Sequence, residues 1–149
     1  MKELSLHILD IAQNATQAGA SLLEITICEE GGLLTLEITD NGRGMDEELL
    51  ASATDPFTTT RSTRNVGLGL PLLRLAAEQT GGWMTITSKP GRGTKVAAIF
   101  HLDHVDCAPL GDMSETLLAL ITGNPDMDLV YIHEHDGQRE ELDTRENRK

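Results

Sequence analysis

Basic residues are scarce in this chain. Of 149 residues only 12 are Lys or Arg, against 24 Asp or Glu, for a formal charge of −12, and no basic stripe breaks the acidity. That excludes a phosphate-backbone partner, because nucleic-acid binding draws its affinity from clustered Lys and Arg. Cysteine is nearly absent as well. Cys28 and Cys107 lie far apart, which offers no disulfide framework and points to a reducing cytoplasm. Long hydrophobic runs are missing too: the opening Met1-Lys2-Glu3-Leu4-Ser5-Leu6-His7 lacks an apolar stretch of signal-peptide length, and nothing later is long enough to span a bilayer. No membrane contact is expected, and any sensor domain or membrane anchor is expected on another chain. There is no internal repeat and no low-complexity tract.

What remains is enough for one domain with a real core plus an appendage. Residues 2 to 18 carry Leu4, Ile8, Ile11, Ala12, Ala15 and Ala18 at helical spacing, and Gly19 supplies a C-cap. Ser21 to Glu29 and Leu33 to Asp40 read as strands joined at Gly31-Gly32. Asp46 caps a short helix reaching about Ala53; a polar connection over 54 to 66 leads to a helix from Leu68 to about Thr80, with Pro71 in its first turn. Trp83 to Lys89 and Thr94 to Leu102 are strands around Pro90-Gly91-Arg92-Gly93. Pro109 and Gly111 mark a boundary, Asp112 caps a helix to Ile121, and Leu129 to His133 is a short strand turning at Asp136-Gly137. The expected domains are therefore 1–102, a small α/β appendage at 103–139, and a disordered tail at 140–149, mostly charged. Acidity concentrates late, with −4 over residues 1–102 and −8 over 103–149. That surface is read first as solvated, and second as a docking face for a basic protein.

Four short segments in the first hundred residues read together as a nucleotide site. Asp10 and Asn14 are four apart on a helix, so both project from one face; Asn14 offers a neutral oxygen to Mg²⁺, and Asp10 a carboxylate able to orient or deprotonate a nucleophile. Asp40 ends a strand before Asn41-Gly42-Arg43-Gly44-Met45, where glycines let backbone approach a flat ligand and the carboxylate can accept from an exocyclic amine such as that of adenine. Gly67-Leu68-Gly69-Leu70 opens a helix whose free N–H groups form an anion site for a polyphosphate. Arg61 and Arg64, with Thr58, Thr59 and Thr60, precede it and could close over the phosphates. Gly91-Arg92-Gly93-Thr94 is the fourth segment. Each alone is equally a solvated helix face, an Asx turn or an exposed loop; their order and spacing carry the signal. A second constellation, His101, His104, Asp106 and Cys107, with His133 and His135, matches no zinc signature and is read as strand-end and loop residues.

These segments resemble the ATP-binding domain shared by gyrase B subunits, the ninety-kilodalton heat-shock chaperones, sensor histidine kinases and mismatch-repair MutL proteins, the GHKL superfamily. The resemblance covers residues 4 to 102. Asp10 to Ala20 matches its first box, Asp40 with Asn41, Gly42 and Gly44 the next, Asp55 to Arg61 looks like the histidine-kinase lid, and Gly67 to Gly82 is similar to that group's phosphate loop and helix. It implies the Bergerat fold, an α+β (α/β) two-layer sandwich of a mixed, mainly antiparallel sheet covered by helices on one face. It also implies ATP with Mg²⁺, Asn14 on the metal, Asp40 on adenine and Thr94 supporting that contact. Chaperones, gyrases and MutL carry Glu as general base where this chain has Asp10, one methylene shorter. Sensor kinases carry their phosphorylated His on a dimerisation helix pair, yet only six residues precede His7, which is read as a packing or surface histidine. The expected function is thus a stand-alone histidine-kinase-like domain in signal transduction that phosphorylates a His or Ser of a separate protein. The alternatives are an anti-sigma-type serine kinase, a non-catalytic ATP-gated regulatory module, or an ATPase accessory to assembly. Expected partners are that phosphoacceptor or regulated protein and, as a homodimer, a second copy of the chain.

Overall fold

The computed structural model describes residues 3–53 and 69–147. Helix α1 (Leu4–Gln17) buries Leu4, Ile8, Ile11, Ala12 and Ala15 along one stripe, the spacing an amphipathic helix needs to face a core. Glu3 provides no side-chain cap. The first N–H groups of α1 are satisfied instead from far along the chain, Leu4 by the Pro109 carbonyl at 2.9 Å and Ser5 by Leu110 at 2.8 Å, since helix-start donors must find some partner.

Strands β1 (Leu22–Glu30) and β2 (Leu33–Asp40) form the expected hairpin. Helix α2 (Glu47–Ala53) is capped by Asp46, whose carboxylate accepts from the Leu49 N–H at 2.8 Å. Helix α3 (Gly69–Gln79), β3 (Trp83–Lys89) and β4 (Gly93–His101) follow. Then come α4 (Met113–Gly123), capped by Asp112, and strands β5 (Asp128–His135) and β6 (Gln138–Asp143), closed by a 3-10 turn at Thr144–Asn147.

The six strands form one mixed sheet in the order β3-β4-β2-β1-β5-β6, with β1 and β5 parallel and every other pair antiparallel. Alternation decides which face is dry. Leu23, Ile25 and Ile27, Leu34, Leu36 and Ile38, and Val96, Ala98 and Phe100 all point to one side and are at most 2% exposed, in one core with α1, α3 and α4. Each such side chain contributes about 1.5–3 kcal/mol of burial. The interleaved positions, among them Glu24, Thr26, Glu37, Thr85 and Lys95, occupy the opposite face. The fold is therefore the α+β open-sheet sandwich expected.

Beyond residue 102 the chain continues the same sheet and core. Leu129 and Tyr131 pair alongside Leu23 and Ile25, Met113, Leu117 and Leu120 join the core, and the Thr116 hydroxyl donates to the Ser5 carbonyl at 3.2 Å. Composition along the chain does not report such pairing. Likewise, where charge density predicts a disordered tail from 140, residues 140–143 complete β6 and 144–147 the 3-10 turn. The physical reason is ladder pairing with β5 and a hydrogen bond from the Leu129 N–H to the Thr144 hydroxyl at 2.9 Å.

Candidate functional site

Helix α1 is the element on which the candidate residues converge. Asp10 and Asn14 sit one turn apart, and α3 begins directly against them: a Cβ built on Gly69 would lie 3.3 Å from the Asp10 Cβ and 3.6 Å from the Asn14 Nδ2. A side chain there would be tight against Asp10 and in ordinary contact with Asn14. The Asn14 Nδ2 is buried and has no hydrogen-bond partner among the described residues, an uncommon state because buried polar atoms are normally paired. Gly69 and Leu70, both buried, bring the first N–H groups of α3, its positive dipole end, to the same place.

The loop after β2 packs on the other end of α1, with the Arg43 N–H donating to the Ala18 carbonyl at 2.9 Å and the Arg43 guanidinium to the Gln17 carbonyl at 3.2 Å. Asp40 accepts from the Gly42 N–H at 2.8 Å. Burial pushes its carboxyl above the ordinary carboxylate value, while the Gly42 and Thr94 backbone donors pull it back part of the way. The Asn41 side chain is engaged by the chain itself: its Oδ1 accepts from the Ser21 and Leu22 N–H groups at 2.8 and 3.0 Å, and its Nδ2 donates to the Ser21 hydroxyl at 2.9 Å. Asn41 therefore anchors the loop to the start of β1.

Two glycines have no substitute here. Gly44 (φ +71°) and Gly93 (φ +81°) adopt left-handed backbone, and a Cβ on either would stand 2.0 Å from a carbonyl oxygen, that of Lys89 or of Asp40. The sequence reading missed Ser88. Its hydroxyl donates to the Gly93 carbonyl at 2.9 Å, accepts from the Met45 N–H at 2.8 Å and lies 2.8 Å from the Thr94 hydroxyl. With the Ser88 proton committed to Gly93, Thr94 is the donor in that last contact. The available signal was register: counting back through the β3–β4 turn pairs Ser88 with Thr94 and, across β4, Thr94 with Asp40.

The structure thus brings Asp10, Asn14 and Gly69 together at one place and Asp40, Gly42, Gly44, Met45 and Thr94 at another, both on α1 or the strands it covers. Gly67 and Leu68, together with Thr58, Thr59, Thr60, Arg61 and Arg64 of the lid-like segment, lie outside the described residues. His7 is buried in α1. Among the described residues no group of three or more His, Cys, Asp or Glu side chains could hold a metal. His104 instead accepts from the Asp106 N–H at 3.0 Å within a turn, and His133 pairs with Glu29 at 2.6 Å. No described helix is long and apolar enough to cross a membrane.

A sheet covered on one face by helices, with a carboxylate at a strand end and a helix start packed against an Asp-x-x-x-Asn pair, is the frame of a nucleotide-binding class. Comparison with known proteins gives the class its name. Residues 1–104 match the family described as Histidine kinase-, DNA gyrase B-, and HSP90-like ATPase, and the chain belongs to that family. It is an ATP-binding, kinase-like domain of the GHKL group. Similar proteins include the sensor histidine kinase ZraS of Escherichia coli, 30% identical over 93 residues covering 61% of this chain and 20% of the relative. Another is the cell-division control histidine kinase PdhS of Brucella canis, 29% identical over 113 residues covering 67% of this chain and 11% of the relative. The chain spans a fifth or less of the length of these relatives.

Proposed function

We propose that this chain binds Mg·ATP between α1, the β2–α2 loop and the start of α3, and transfers the γ-phosphoryl group to a His or Ser of a separate protein. The observation that carries this reading is the buried Asn14 Nδ2, which has no hydrogen-bond partner among the described residues, beside the start of α3. Oxygen and nitrogen of a side-chain amide exchange by a flip, so this position suits a neutral oxygen ligand for Mg²⁺. Bound Mg·ATP would supply an activated phosphoryl group and a divalent charge to offset its oxygens.

The chain's own residues do the rest. Asp40 selects adenine by accepting from its exocyclic amine, and Thr94, held by Ser88, supports that contact. Gly42, Gly44 and Met45 form the wall beside the base. Gly67, Leu68, Gly69 and Leu70 offer backbone N–H groups to phosphate oxygens, and Thr59, Thr60 and Arg61 close from the lid segment. Asp10 orients the acceptor side chain and takes its proton as the new bond to phosphorus forms and the bond to ADP breaks. Residues 1–102 would constitute this nucleotide unit and 103–139 an extension that meets the partner. The two free cysteines support a cytoplasmic setting.

The test is incubation of the full chain with γ-labelled ATP and cell extract. Label should pass to a discrete protein, and Asp10→Asn and Asn14→Ala should both reduce it. Tight Mg·ATP binding without any labelled protein would remove the kinase reading. That result would favour an ATP-gated module, a reading that the shorter carboxylate at Asp10 supports.

A further inference from the structure

Away from the nucleotide region, the sheet extends beyond its helical cover. Strand β6 is outermost and pairs only with β5, in a register that sets Glu140 opposite His133 and Leu142 opposite Tyr131. Those side chains share the helix-covered face, yet the helix layer ends at the start of α4. The step between them is a pocket of about 590 Å³.

Its lining is chemically one-sided. Carboxylates from three separate segments face it, Glu3 before α1, Asp112 at the α4 cap and Glu140 of β6, while Glu141 projects its carboxylate to the other face of the strand, and no Lys or Arg is among the lining residues. Asp112 accepts from the Glu115 N–H at 3.1 Å and Glu141 pairs with Arg139 at 2.9 Å. The carboxylates of Glu3 and Glu140 make no hydrogen bond or ion pair among the described residues.

Tyr131 provides an independent observation. It lines the same pocket; its side chain is buried to 5% exposure while its hydroxyl opens to the pocket and makes no hydrogen bond to any described residue. Burial, with Glu140 and Glu29 nearby, pushes that phenol up to about 12. It therefore remains neutral and keeps lone pairs to offer. The Glu3 and Glu140 carboxylates and the Tyr131 hydroxyl, none of them paired with a described residue, can all accept from a cationic N–H donor.

We propose that this pocket receives the Lys or Arg side chains of a basic segment on a partner protein. The cavity is larger than one side chain, and its carboxylates are spread over three segments, so several cations of one polypeptide can be met at once. Charge complementarity also extends beyond the pocket, because residues 103–149 alone carry a net −8. The proposal is independent of the nucleotide reading.

The experiment uses the full chain and a fluorescent, blocked peptide of alternating arginine and alanine, with a citrulline-for-arginine peptide as the neutral isostere and spermidine as a free polyamine. Because the chain has a single tyrosine, selective labelling reports Tyr131 alone. The arginine peptide should bind, shift the Tyr131 ring signal and weaken as salt is added; the citrulline peptide should do neither. Glu140→Gln should raise Kd about fivefold, and Tyr131→Phe should raise it in the same direction. Glu134→Gln, which removes an equal charge from the opposite face of β5, should leave Kd unchanged. Equal binding of the citrulline peptide, equal weakening by Glu134→Gln, or no effect of Glu140→Gln and Tyr131→Phe would each overturn the proposal. Tighter binding of spermidine with the same Tyr131 shift would also overturn it, in favour of a free amine.

Discussion

Replacing Asp40 by Asn separates ligand affinity from fold stability, and the two should move in opposite directions. The substitution keeps one oxygen for the Gly42 N–H but removes the charge and puts a donor where the proposed contact to the adenine amine needs an acceptor. A hydrogen bond to a charged group is worth about 1.5–3 kcal/mol, so Kd for ATP should rise about ten- to hundredfold. At an ATP concentration of about 100 times the wild-type Kd, ligand stabilisation is about 2.7 kcal/mol, and a hundredfold loss reduces it to about 0.4 kcal/mol. For a chain of this size that is a thermal shift of about 8 °C falling to about 1 °C. The nucleotide-free protein should respond differently. Asp40 has a folded pKa raised above 3.8, chiefly by burial, so its contribution to stability is fully present below the unfolded pKa and is lost as pH rises through the folded value. Asn carries no such titration. The ligand-free variant should therefore be at least as stable as wild type at neutral pH, with the difference fading in acid. Differential scanning fluorimetry with and without Mg·ATP, repeated with Mg·GTP, reads all of this. An unchanged ATP shift in a folded variant would refute the adenine role, and no shift in wild type would refute the nucleotide site itself.

Other outcomes follow from the same geometry. Gly93→Ala should cost about 2–4 kcal/mol in urea unfolding, since it adds a left-handed alanine and a Cβ at 2.0 Å from the Asp40 carbonyl oxygen; a loss below about 1 kcal/mol would contradict the close approach. Phe100→Ala, at a site with 0% exposure in β4, should cost about 3–5 kcal/mol by the same measurement, and a neutral result would mean that this face is not the core. Ultraviolet titration of the single tyrosine should give a midpoint near 12 in the folded chain, so stability that is full below pH 10 falls as pH rises through that value. A midpoint at 10 before unfolding would show Tyr131 to be solvated.

The sequence by itself determined the local elements, because each follows from a pattern read within a few residues. Leu4, Ile8, Ile11 and Ala15 give α1 its stripe, Leu34, Leu36 and Ile38 give β2 its dry face, and Asp46 and Asp112 cap helices where expected. Family membership was legible for the same reason, since its boxes are short and ordered. Tertiary structure decided what depends on contacts between distant residues. Pairing of β5 with β1 drew the supposed appendage into the main sheet, and ladder bonds to β5 ordered residues whose charge alone predicts a loose tail. Ser88 entered the Asp40–Thr94 region through register, Asn41 turned out to tie its loop to Ser21, and the Tyr131 pocket forms where β5 and β6 meet the start of α4. Spacing along the chain encodes propensity and facing; cross-strand register and helix cover arise from long-range packing, which no local pattern records.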